Sequence, residues 1–379
     1  MIDDALIVRT SPFHDRTSLA CFTNAWTNVA GTSLVSVYRN VEQEYWAMYK
    51  RAALVDVSYH IALRITGAQA VEALDHLTVA KVGELANGSF CRTLWCTDEG
   101  HVVGDGLLLR EDPASFLIVT RVPCEAFIAE ACAAFDCAVV RADDLEAGLE
   151  LVGPKSAEIL EGAGFSWAPA LHPGSFVTMT VRGLTAAIAC LDRGGTPAFA
   201  VWTSADGARL LWDRLRRAGG GAGIMAAGLA AHTVLRLENA EPAYSLDYIG
   251  ALRAPSWRQM ATPAALGLEG LIGTSKTRFN GARALAKAAP PRRHLVTLAV
   301  EGAGALAPAF VTAEGLPVGH VTSAAWSPRL GCGLVIAWVE TEDTSLLKGL
   351  RIVSPVRGAA AELTEASRDG RPCHLYTRP

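Results

Sequence analysis

The chain has 379 residues, 50% of them hydrophobic and 19% charged, with a formal net charge of −4. A chain of this length builds two or three domains with their own cores, and this balance excludes a disordered polymer. With no basic run, it also excludes nucleic acid and anionic membranes as partners.

Met1 to Phe13 carries Asp3 and Asp4 and lacks a basic stretch followed by an apolar one, so no secretory signal is expected. No apolar run approaches the roughly 20 residues of a membrane-spanning helix. The nine cysteines are scattered, without a Cys-x-x-Cys pair. That usage fits reduced core thiols in a cytoplasmic protein, and neither a zinc site nor a disulfide set. The expectation is a soluble cytoplasmic protein that holds no metal.

Residues 1 to 35 carry no clear period. Residues 42 to 54 show the apolar stripe of a helix, and Val55 to His60 leads into an alternating strand at 61–66. If Tyr59 and His60 are neighbours on a strand, they point to opposite faces, and one of them lines any cavity there. Gly67 ends that strand and 68–77 reads as a helix. A hairpin over 89–110 follows, turned at Asp98-Glu99-Gly100, then a strand at 116–120 and a helix at 124–135. The order β-α-β-β-β-α is an α+β pattern of antiparallel sheet with helices on a face.

Within the hairpin, Gly104-Asp105-Gly106 interrupts an apolar strand. Glycine there allows a bulge or a close backbone approach. Asp105 is then either bonded to the local backbone or aimed into a cavity, where burial keeps a carboxylate poised for proton or charge chemistry.

The strand-Gly-helix unit of 65–77 recurs at 149–160. Strands at 175–182, 185–191 and 198–203, a helix at 208–218 and the flexible run Gly219 to Gly223 come next. A helix at 226–239 contains Leu235-Arg236-Leu237-Glu238. The stretch 243–275 looks irregular, and Pro290 to Arg293 reads as a linker. Strands at 295–300, 308–311, 317–321, 333–339 and 351–362 complete a β-rich domain.

Six blocks in order resemble the glycine-cleavage T-protein (aminomethyltransferase) superfamily over nearly the whole chain. They are Glu44 through Ser58; Ile65 to Ala70; Glu99-Gly100-His101-Val102-Val103-Gly104-Asp105; Leu235 to Glu238 with Pro242, Tyr244 and Asp247; Phe279 to Leu285; and Val318 to Ser323 with Ser327-Pro328. The resemblance implies a three-domain cloverleaf with a central cavity for tetrahydrofolate. Its domains would be 1–50 with 140–245, 51–139 with 246–288, and a barrel-like 292–379.

By the same resemblance, Asp105 faces the reactive N5 side of the pterin, and Arg236, Glu238, Tyr244 and Phe199 lie at the cofactor. Ser58-Tyr59-His60 with the Glu99–Asp105 block is similar to the aryl-methyl-ether demethylases of the vanillate and syringate type. There methyl transfer to N5 expels a phenolate that a nearby acid such as His60 can neutralise, with Tyr59 beside it. The expected activity is demethylation of a small methylated substrate, a methoxyaromatic or a methylamine or methylthio compound. No lipoyl carrier protein is expected as a partner.

One departure stands out. Where the family has a glutamate that accepts the pterin's amide and amino groups, this chain has Ala200, within Ala198-Phe199-Ala200-Val201. Either Glu238 or Asp192 substitutes, or the scaffold runs acid/base chemistry without folate. A non-catalytic folate-binding helper is the remaining reading, although the cysteine motif of such members is missing at Thr277 to Gly281.

Overall fold

The computed structural model describes residues 8–301, 309–341, 350–353 and 371–376. The chain divides into two compact units, Met1–Thr93 with Asp105–His232, and Leu94–Gly104 with Thr233–Pro379. Among the described residues, no helix is long and apolar enough to cross a membrane.

The first unit opens with β1 (Arg9–Thr10), α1 (His14–Ala20), β2 (Ala25–Val29) and β3 (Thr32–Val37), the strands ordered β1-β3-β2. Elements this short carry too few turns or alternations to register as a period, which is why this stretch read as mixed. α2 (Val41–Lys50) starts at Asn40, whose side chain accepts the N–H of Glu42 and Gln43. It ends four residues before the expected Leu54. Ala53 and Leu54 instead open β4 (Ala53–Asp56), paired with Val152 and Leu151. Every residue of β4 is buried, so no polar face betrayed its strand character. Ser58 and Tyr59 then make a turn, and the strand alternation expected at Tyr59–His60 does not reach them.

β5 (Ile61–Thr66), α3 (Ala70–Leu77), β6 (Ser89–Cys96), β7 (Val102–Asp112), β8 (Ser115–Thr120), α4 (Glu125–Cys132) and β9 (Ala138–Arg141) follow. Their sheet runs β6-β7-β8-β5-β9. A second group holds β10 (Ala147–Val152), α5 (Ser156–Gly162), β11 (Phe176–Val181), β12 (Leu184–Arg193), β13 (Thr196–Thr203), α6 (Ala205–Ala218), β14 (Met225–Ala226) and α7 (Leu229–Glu238). Its sheet runs β11-β12-β13-β10-β4-β14. Leu149, Leu151, Phe199 and Val201 form one face and pack with Leu211, Trp212 and Leu215 of α6. Alternation sends Glu150 and Ala200 to the other face.

The repeated strand-Gly-helix unit is present in both groups, as β5-Gly67-α3 and β10-Gly153-α5. Gly67 has φ +147° and Gly153 has φ +129°. A Cβ at Gly67 would strike the Asp136 carbonyl, and one at Gly153 would strike that of Arg51. Each helix can start beside its strand only because that residue has no side chain.

In the second unit the irregular stretch holds 3₁₀ turns at Trp257–Gln259, Ala264–Leu266 and Glu269–Leu271, followed by α8 (Ala282–Leu285). β15 (Arg293–Val300), β16 (Phe310–Ala313), β17 (Leu316–Ser327), β18 (Cys332–Glu340), β19 (Leu350–Val353) and β20 (Arg371–Leu375) close into a barrel, ordered β15-β18-β17-β16-β19-β20. Leu298, Val311, Val335, Val339 and Ile352 fill it. Of the strand expected at 351–362, positions from 354 onward lie outside the described residues.

Candidate active site

Asp105 lies on β7 and keeps 13% of its side chain exposed. Its carboxylate accepts from Arg92 of β6, from Nε at 3.2 Å and from Nη2 at 2.8 Å. Its carbonyl accepts from Thr120 Oγ1 at 2.7 Å. The glycine after it has a local reason, because a Cβ at Gly106 would lie 2.6 Å from the Val119 carbonyl. The glycine therefore serves strand approach, while the carboxylate holds an ion pair with Arg92.

The pairing of β7, β8 and β5 ends next to Asp105. Gly106 pairs with Thr120, and Thr120 pairs with Ile61. Asp105, Arg121 and His60 adjoin these three residues in the chain. The Arg121 guanidinium lies over the Tyr59 ring at 5.5 Å, and the rings of Tyr59 and His60 are 4.5 Å apart. Tyr59 is buried, with 4% of its surface exposed.

Burial, reinforced by the Arg121 cation, pushes the His60 imidazole down to about 3, so it is neutral at physiological pH. The proton chemistry expected of His60 would then run through a neutral imidazole N–H. Its Nδ1 is buried and has no hydrogen-bond partner among the described residues. His60 also lines a cavity of about 260 Å³, together with Arg9, Ser11, Ser58 and Arg141.

Three residues the sequence did not single out complete the cluster. Glu150, on β10, is 4% exposed. Its Oε1 accepts from Arg193 Nη2 at 2.5 Å, and its Oε2 accepts from His232 Nε2 at 3.0 Å. Burial works to raise the carboxyl, but Arg193 and His232 outweigh it and hold Glu150 far below the usual carboxylate range. Glu150, Arg193 and His232 all act on His60 electrostatically. The signal in the sequence was a lone charge inside the apolar run Leu149-Glu150-Leu151-Val152.

The residues expected at a cofactor lie on several elements. Phe199 belongs to the core packed under α6 and is 3% exposed. Ala200 lies on the opposite face, paired with Glu150 of β10 and Ala189 of β12. Asp192 is exposed at a turn, where its Oδ1 accepts from the Gly195 N–H.

In the second unit, Arg236 donates to Asp247 Oδ2 at 2.5 Å, to the Glu241 carbonyl at 2.7 Å and to Ser323 Oγ at 2.8 Å. Glu238 accepts from Ser327 Oγ and, at 3.1 Å, from Arg329 Nη2. Both charges of the Arg-x-Glu block thus fasten α7 to the barrel. Tyr244 is buried edge-on against Tyr248, with ring centroids 5.7 Å apart. Among the described residues, no group of three His, Cys, Asp or Glu side chains is placed to hold a metal ion.

The GCVT N-terminal domain matches residues 20–272, and the glycine cleavage T-protein C-terminal barrel domain matches 293–367. The aminomethyltransferase of Streptomyces coelicolor is 30% identical over 83% of this chain and 85% of its own length. That of Halothermothrix orenii is 26% identical over 88% of this chain and 93% of its own. The solved glycine cleavage system aminomethyltransferase T from Bartonella henselae shares the fold, with a TM-score of 0.80 at 22% identity over 93% of this chain and 95% of that one. With both family domains matched and that fold observed, the chain belongs to the glycine-cleavage T-protein (aminomethyltransferase) family.

Proposed function

We propose that this protein is a tetrahydrofolate-dependent one-carbon transferase that demethylates a small methylated substrate, a methoxyaromatic or a methylamine or methylthio compound. The observation that carries the reading is neutral His60, with its buried unpartnered Nδ1, beside the Tyr59 ring that Arg121 also covers. When an aryl methyl ether loses its methyl group, charge builds on the phenolic oxygen. Arg121 supplies a fixed cation for that charge, and a neutral imidazole supplies a ring nitrogen able to pass or accept a proton. Tyr59 walls the position with an aromatic face. Asp105, held by Arg92, supplies negative charge for a cation that develops on the acceptor side.

Tetrahydrofolate, when bound, supplies N5 as the acceptor of the one-carbon unit. The donor set present is compatible with it: Ala200 offers no acceptor, but the ionised Glu150 stands on the facing strand. Arg236 and Glu238 act by fastening α7 and not as direct ligands.

A folate-independent acid/base enzyme on the same scaffold is the second reading. It is favoured by Glu150 already being bonded within the chain by Arg193 and His232.

The test is incubation with tetrahydrofolate and a panel of methoxyaromatics, methylamines and methylthio compounds, with mass detection of 5-methyltetrahydrofolate and the demethylated partner. Equal amounts of the two products from one panel member are expected. Failure to bind folate at millimolar concentration would select the folate-independent reading.

A further inference from the structure

The geometry points to Glu150 as the carboxylate that reads the donor edge of the pterin, with Arg193 and His232 as its positioning residues. The inference rests on the folate reading above. A reduced pterin presents a ring amide N–H and an amino N–H side by side on one edge. A single carboxylate matches that pair, whereas leaving buried donors unmatched weakens binding sharply.

Strand register supplies the match. Ala200 stands directly opposite Glu150 on one side and Ala189 on the other. Directly opposed residues have Cβ atoms about 5 Å apart, so the Glu150 side chain starts next to the short side chain of Ala200, with that of Ala189 one strand further. Of these three residues only Glu150 extends beyond its Cβ. All three share the face turned away from the α6 core. The carboxylate missing from β13 is therefore present one strand over.

Being bonded already does not disqualify Glu150. An ionised carboxylate has about four acceptor positions, and Arg193 and His232 occupy one on each oxygen. One position on each oxygen stays open, the number that a paired donor edge needs. Arg193 and His232 also fix the orientation of the group, so little freedom is lost when a ligand docks. The alternative carboxylates are engaged differently. Glu238 is held by Ser327 and Arg329, and Asp192 closes an exposed turn.

The experiment is calorimetric titration of the full-length protein with two ligands. One is tetrahydrofolate; the other is its 2-desamino-2-methyl analogue, which lacks one donor of the edge. Glu150→Gln keeps the shape and removes the charge. It should weaken tetrahydrofolate binding about 30-fold and analogue binding about 3-fold or less. The exchange variant Glu150→Ala/Ala200→Glu moves the carboxylate back across the ladder, and it should recover tetrahydrofolate affinity to within about 5-fold of wild type.

Equal losses for both ligands in Glu150→Gln, or no loss, overturn the assignment while leaving the folate reading intact. Absence of tetrahydrofolate binding by wild type overturns that reading and this inference with it. If Glu150→Gln fails to fold by circular dichroism, the exchange variant decides: binding supports the assignment, and a folded exchange protein that does not bind rejects it.

Discussion

The carboxylate of Glu44, fully buried on α2, accepts the backbone N–H of Gly228 at 2.9 Å across a sequence separation of 184 residues. Its other oxygen accepts the N–H groups of Tyr38 and Arg39 at 2.8 and 2.7 Å. One side chain thus satisfies three backbone donors around the end of β3 and the approach to α7. Glu44→Ala leaves all three without this acceptor, at about 1–3 kcal/mol each where water cannot enter. Urea unfolding should show a loss of about 3 kcal/mol or more. A loss below about 1 kcal/mol would mean that water replaces the carboxylate.

His60 makes the fold sensitive to acid. Its folded value of about 3 lies below the ordinary 6.5, so the unfolded chain binds a proton in this window that the folded one does not. Stability therefore falls as pH drops from about 6.5 toward 3, by up to one proton's slope. His60→Gln should flatten the stability-versus-pH curve across that interval. The same depression places no His60 limb near neutrality in the pH-rate profile. A wild-type limb at pH 6 to 7 that disappears in His60→Gln would contradict the neutral resting state.

Asp105→Asn preserves the outline of the side chain and weakens the ion pair with Arg92. The variant should fold with an unchanged melting temperature and lose about 100-fold or more in kcat. Unaltered turnover would assign Asp105 to holding Arg92 alone.

Asp247 is the buried partner of Arg236, the two being 1% and 6% exposed. Asp247→Ala strands a guanidinium in the interior and should cost about 3–5 kcal/mol in equilibrium unfolding. Removing both charges, in Arg236→Met/Asp247→Ala, should cost less than the sum of the single changes. Strict additivity would show that the pair is not coupled.

The sequence carried the elements wherever one residue does a local job. Gly67 and Gly153 announced the two strand-to-helix hinges, and the alternation after Ile61 announced β5. The isolated charge at Asp105 was visible because glycines bracket it. Legibility failed where meaning depends on a distant neighbour. Nothing near Glu150 says that it will stand opposite Ala200, because that pairing is set by the β10–β13 register. The partners of the Arg-x-Glu block were hidden for the same reason. Arg236 and Glu238 find their partners in Asp247, Ser323, Ser327 and Arg329, up to 91 positions along the chain. The Tyr59–His60 turn was misjudged because the strand pattern after it extends plausibly one step too far back.

The barrel closes through β15 and β20, where Leu298, Ala299 and Val300 pair with Leu375, His374 and Cys373. The other side of β15 is paired with β18, a nearer neighbour in sequence. Until the segment from Arg371 to Leu375 has docked, β15 presents an open row of N–H and C=O groups over apolar side chains, a surface that recruits strands from other molecules. Any nick, truncation or late emergence of that segment during synthesis therefore acts first as a solubility defect, before a change in the chemistry of the first unit registers. Expression designs that fuse a partner after this strand should leave a spacer long enough for it to reach its place in the barrel.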